Sequence, residues 1–142
     1  MVKNPMILWF EEIGIDDVPI VGGKNASLGE MYQHLTHSGI EVPHGFAITA
    51  DAYKYLIRET GIEDKVSQAL EGLDTHDLRN LQERGQKVRN IICQAEFPEQ
   101  LRIEICEAYR KMEEKYGKEV DVAVRSSATA EDLPDASFAG QQ

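Results

Sequence analysis

The segment that begins at Val120 constrains this chain most. Val120, Val122 and Val124 alternate with Asp121, Ala123 and Arg125, the period-two pattern of a half-buried strand. From Ser126 to Gln142 the sequence is rich in Ser, Ala, Thr and Gly. This order sets Arg125 at the C-terminal edge of a strand, where open α/β sheets place ligands. Small residues let a backbone approach a phosphate closely, and a guanidinium fork suits bidentate phosphate contact. Such a loop holds phosphate only when a second structural half closes over it. The chain therefore reads as part of a nucleotide-binding machine and not as a complete enzyme.

The remaining pattern puts short strands at both ends and helices between them. Met6 to Phe10 is an apolar run bounded by Pro5 and by Glu11 and Glu12, and reads as a strand. Gly14 to Pro19 reads as loop, and Val21-Gly22-Gly23 as a tight turn. Leu28, Met31 and Leu35, three and four apart, predict a helix from about Asn25 to Thr36, with Gly39 just past its end. Gly45 to Thr49 reads as a second strand, and Thr49 as the N-cap of a helix to Glu59 that Gly61 terminates. A short helix over Glu63 to Leu70 follows. Asp74 with Asp77 resembles a capping box that opens a helix to about Gln94, with Leu78, Leu81, Gly85, Val88 and Ile92 on one face. Pro98 fits the first turn of a last helix, whose buried face is Leu101, Ile105, Ala108, Met112 and Tyr116. The expected fold class is α+β, or α/β-like: a small sheet closing across a mainly helical insert at about 50–116, with the phosphate-loop segment at 125–142.

Composition bounds the function. The 142 residues are one domain's worth. With 25 acidic against 15 basic residues the net charge is -10, which argues against a general nucleic-acid or anionic-membrane binder. It does not exclude ATP, which needs only a few local cations and backbone N–H groups. Cys93 and Cys106 form no CxxC pair and are expected as buried, reduced thiols. The apolar run at the N-terminus is too short for a signal peptide or a membrane span, so a cytoplasmic protein is expected.

Gly22-Gly23-Lys24-Asn25 invites comparison with the P-loop, GxxxxGK[ST]. It fails twice, because Val18 stands where the first glycine belongs and Asn25 where the hydroxyl belongs. A glycine turn at a helix N-terminus still offers N–H groups and a positive dipole end, to which Lys24 adds a cation. On that motif alone a plain turn with a solvated lysine is the stronger reading. For Arg125, an ion pair with Glu131, Asp132 or Asp135 weighs equally with a phosphate. His34 and His37 share a helix face without a third ligand, and no HExxH or Cys/His spacing exists, so no metal site of this chain alone is expected.

Taken together, three segments resemble one family. Val21 to Met31 (VGGKNASLGEM), Val42 to Thr49 (VPHGFAIT) and Val124 to Gln142 (VRSSATAEDLPDASFAGQQ) look like the phosphoenolpyruvate synthases. The resemblance runs in order from Trp9 to Gln142. It implies the first part of an N-terminal, ATP-grasp-like nucleotide-binding domain of an enzyme that converts ATP, pyruvate and water into AMP, phosphoenolpyruvate and phosphate. It implies that Lys24 and Arg125 contact the ATP phosphates, that Gly140 belongs to a glycine loop over them, and that Ser137 and Gln141 are weaker candidates there.

The resemblance also implies what the chain lacks. The acidic Mg²⁺ ligands, the phosphoryl-carrying histidine and the pyruvate-binding barrel are expected outside it, so no catalytic residue is assigned, pyruvate is reached only through other domains, and the fragment alone is expected to be inactive. None of the four histidines takes the phosphoryl-carrying role, and His44 is given no function. Pyruvate phosphate dikinase shares parts of the pattern but has a methionine-rich loop; rifampin phosphotransferase shares nearly the same loop and is not separated on these residues. A free-standing nucleotide-binding or regulatory module is the reading from another class. Self-association through exposed apolar surface, or a loose segment from Asp132 to Gln142, is a further expectation.

Overall fold

A computed structural model describes residues 5–130 of the chain. Its sheet is small. Strand β1 (Ile7–Trp9) pairs antiparallel with β2 (Phe46–Ile48), in the register Ile7 to Ile48, Leu8 to Ala47 and Trp9 to Phe46. Both form on short apolar runs, with Ala47 of β2 buried and Leu8 of β1, opposite it, packed against the core. Helices make up most of the rest: α1 (Val18–Val21), α2 (Gly23–Leu35), α3 (Ala50–Thr60), α4 (Ile62–Leu70), α5 (Leu78–Cys93) and α6 (Glu99–Tyr116). The class is α+β.

The chain divides into two bodies. The first is residues 1–53 with 100–142, and the second is residues 54–99, so the division falls within α3 and just after α6 begins. In the first body Ile13, Val21, Ala26 and Ala47 form a buried cluster, with Leu8, Phe10 and Val18 packed against it. Helix α2 is seated on this core at Gly29, where a Cβ would lie 2.3 Å from the Ile13 carbonyl oxygen. Only glycine permits that approach. Two side chains of α2 hold the same segment: Gln33 donates to the Ile13 carbonyl at 2.7 Å and Glu30 accepts from the Ile15 N–H at 2.9 Å. Helix α6 buries Leu101, Ala108 and Met112.

Thr49 is 1% exposed and links the sheet to α3. Its hydroxyl accepts from the Ala52 N–H at 3.2 Å and donates to the Pro5 carbonyl at 2.9 Å, the expected cap with an added tether. In the second body α4 and α5 pack together, and Arg84 donates to the Ala69 carbonyl at 3.0 Å. A cleft of about 360 Å³ there is lined by Thr60, Ile62, Lys65, Ile91, Gln94, Ala95 and Glu96, and includes none of the expected site residues.

Several expectations change. Residues 14–19 are not plain loop: a 3₁₀ turn at Ile15–Asp17 leads into α1, which takes Pro19 in its first turn. The cap of α5 is Asp77, whose carboxylate accepts from the N–H groups of Arg79 and Asn80, while Asp74 closes its own turn onto His76 N–H. No residue of α5 is buried, so its apolar stripe is only partly covered. Tyr116 is 47% exposed. Cys93 and Cys106 are free but exposed; Cys93 closes the unburied α5, and Cys106 points off the Leu101–Ala108–Met112 face.

The largest departure is at Val120 to Arg125, which forms no ladder. Alternation specifies faces, but a strand needs a partner's N–H and C=O groups. Among the described residues the sheet is β1 with β2 alone, so it does not close across the insert. Val124 stands 90% exposed.

Candidate functional site

The glycine turn and the arginine segment lie near opposite ends of the chain, yet they meet in space. Gly22 adopts φ 80° and ψ 159°, a conformation essentially reserved for glycine. A Cβ on it would stand 2.8 Å from the Ala128 carbonyl oxygen and 3.0 Å from that of Ser127. Backbone therefore lies directly on backbone, and this contact brings the turn before Lys24 against the segment after Arg125. Ser126 steadies the far side, its hydroxyl accepting from the Ala128 N–H at 3.2 Å.

The turn opens onto α2. Gly22 is the N-cap and has no side chain with which to close the helix, and no acidic residue occupies the first turn. Instead Lys24 sits there, exposed. Asn25, which stands where a P-loop has its hydroxyl, is 8% exposed and donates to the Val21 carbonyl at 2.8 Å. Its amide is thus used to join α1 to α2 and is not presented to a ligand. Arg125 is exposed, and no hydrogen bond or ion pair ties it to another described residue. The two adjoining segments thus carry two cations, a glycine turn and a small-residue backbone.

The description "Pyruvate phosphate dikinase, AMP/ATP-binding domain" matches residues 18–142. The chain belongs to this family. It is 58% identical to the phosphoenolpyruvate synthase of Synechocystis, over 99% of this chain and 18% of that protein. It is 54% identical to the phosphoenolpyruvate synthase of Aquifex aeolicus, over 99% of this chain and 16% of that protein. A probable phosphoenolpyruvate synthase of Methanocaldococcus jannaschii is 54% identical, over 96% of this chain and 11% of that protein. The chain thus spans less than a fifth of the length of these relatives.

Within this AMP/ATP-binding domain the expected residues fall in two groups. Lys24 and Arg125 lie on segments that the Gly22 contact brings together. Ser137, Gly140 and Gln141 lie outside the described residues, as do Glu131, Asp132 and Asp135, the alternative partners of Arg125, and the segment from Asp132 to Gln142. Among the described residues no group of three or more His, Cys, Asp or Glu side chains could hold a metal ion. His34 is exposed and lies 3.1 Å from Glu30. No helix among the described residues is long and apolar enough to cross a membrane.

Two features lie beyond the expectations drawn from sequence. Gly29 seats α2, and its signal was present as a glycine inside a helical pattern. His44, by contrast, is enclosed by aromatic rings and charged groups from several elements. No spacing rule announces such an assembly.

Proposed function

We propose that this chain is the N-terminal ATP-binding portion of a phosphoenolpyruvate synthase, forming part of an ATP-grasp-like site. The reaction of the whole enzyme is then ATP, pyruvate and water to AMP, phosphoenolpyruvate and phosphate. The observation that carries this reading is the backbone contact of Gly22 with Ser127 and Ala128, which sets Lys24 and Arg125 on adjoining segments. Phosphoryl transfer depends on positioning and on stabilising charge, and the two side chains supply that: Lys24 an ammonium and Arg125 a fork for two phosphate oxygens. Gly140, with Ser137 and Gln141, completes the phosphate loop in this reading. Mg²⁺ takes its ligands from later in the polypeptide in this reading, as the resemblance to the phosphoenolpyruvate synthases implies. The protein carrying this segment is cytoplasmic in this reading.

Calorimetric titration of the full-length protein that carries this segment with Mg-ATP tests the assignment. A charge-assisted contact contributes about 1.5–3 kcal/mol, so Lys24→Ala and Arg125→Ala each weaken binding by roughly 10- to 100-fold. Binding that neither substitution changes would remove both residues from the site.

A further inference from the structure

The side chain of His44 is 8% exposed. Its ring stacks on Trp9, with centroids 5.1 Å apart and planes 18° apart, and tilts against Tyr32 at 4.5 Å. Nε2 faces the Glu11 carboxylate at 3.9 Å. Nδ1 is buried and has no hydrogen-bond partner. The His44 backbone N–H donates to the Tyr116 hydroxyl at 2.9 Å. Next to Tyr116, the Lys115 ammonium donates to the Tyr32 hydroxyl at 3.2 Å and lies over the Tyr32 and Tyr116 rings at 5.6 and 5.4 Å. The titratable groups facing His44 are therefore Glu11 from the Phe10–Glu12 turn, Tyr32 from α2, and Lys115 and Tyr116 from α6; Trp9 of β1 adds an uncharged ring.

These contacts fasten α2 to the C-terminal end of α6, and those two elements lead to the two candidate cations. Tyr32 shares α2 with Lys24. Beyond α6 the chain stays tethered to it, as Tyr109 donates to the Val120 carbonyl at 2.9 Å and the Glu119 N–H donates to Glu113 at 3.0 Å. It then passes Arg125 and reaches Gly22 at Ser127 and Ala128.

We propose that neutral His44 is a positioning residue: it locks α2 to the end of α6, so fixing the Arg125 segment relative to Lys24, and protonation of its ring releases the lock. The proposal rests on the ATP-site reading for its functional consequence. Its chemical basis is the enclosed Nδ1. With the proton on Nε2, toward Glu11, Nδ1 needs only to keep a lone pair. A second proton creates a buried N–H without an acceptor, which is costly, beside the Lys115 cation. Burial, and then Lys115, hold the His44 pKa below 6.5 against the opposing pull of Glu11, so the lock is closed at neutral pH and opens on acidification.

The test is a pH titration of the 142-residue chain by heteronuclear NMR, following the His44 ring and the amides of residues 125–128. Those amides are expected to move with the His44 midpoint. His44→Phe keeps the stacking and removes the titration, so the movement disappears. Tyr116→Phe removes only the hydroxyl that accepts from His44, and shifts the same amides at pH 7.5 toward their acid positions. A His44 that titrates while the amides stay still, amides that move identically in His44→Phe, or a ring that stays neutral down to acid unfolding each overturns the proposal. Mg-ATP titrations of the full-length protein that carries this segment, at pH 8 and pH 5.5, then give the consequence: a loss of affinity at least threefold greater in the parent than in His44→Phe. Absence of Mg-ATP binding at pH 8 would instead count against the ATP-site reading, with the amide titration still deciding the lock.

Discussion

Replacing Gly22 by alanine probes the contact on which the site depends. The backbone there has φ 80° and ψ 159°, and holding a non-glycine residue in such a region costs about 1–3 kcal/mol. The new Cβ also meets the Ala128 and Ser127 carbonyl oxygens at 2.8 and 3.0 Å. These are backbone atoms, so no flexible side chain can swing away, and overpacking of this kind typically costs about 1–3 kcal/mol. A total of about 4 kcal/mol, or roughly a thousandfold in the folded-to-unfolded ratio, is expected. Gly39 supplies the control. It has φ 78°, and a Cβ added there would meet nothing within 4 Å, so its replacement carries only left-handed strain of about 1–2 kcal/mol. Urea denaturation followed by circular dichroism compares the two variants. If the chain relieves the clash locally, the amides of Ser126 to Ala128 shift in place of part of the stability loss. Gly22→Ala within about 0.5 kcal/mol of Gly39→Ala, the ordinary range of a surface substitution, with those amides unmoved, would refute the turn-to-segment contact.

Two further outcomes follow from buried polar groups. Thr49→Val keeps the side chain's size but removes both the acceptor for Ala52 N–H and the donor to Pro5; loss of a helix cap costs about 0.5–2 kcal/mol, read as a lower urea midpoint with an unchanged slope. The pH dependence of stability has a definite sign at His44. Its folded pKa lies below the ordinary 6.5, so on acidification the unfolded chain takes up the proton first. The associated stability is fully present above about pH 6.5 and is lost as pH falls through the folded value. Urea midpoints from pH 7.5 downward show this slope, and His44→Phe flattens it.

Much of the local structure was legible because its causes are local. Thr49 caps α3 as its hydroxyl beside a helical pattern predicts, Gly39 takes the left-handed conformation that ends a helix, and the apolar runs at Met6 to Phe10 and Gly45 to Thr49 do make strands. The capping box read from Asp74 with Asp77 does not form, since both are competent acceptors and the backbone geometry makes Asp77 the cap. The family, too, was carried by contiguous motifs, each a local demand for glycine, cation or small side chains.

What the sequence by itself determined is this inventory: which segments can be helix or strand, that the Gly22-Gly23 pair allows a tight turn and close backbone approach, and that Lys24 and Arg125 are suited to phosphate. Only the tertiary structure decided which of these meet. Val120 to Arg125 has strand alternation but no ladder, because pairing depends on a neighbour that alternation cannot supply. Gly22 lies against Ser127 and Ala128, and His44 is enclosed by Trp9, Tyr32, Glu11, Lys115 and Tyr116. Such contacts join residues far apart in the chain, where loop closure and packing of whole elements, and not any local preference, fix the distance.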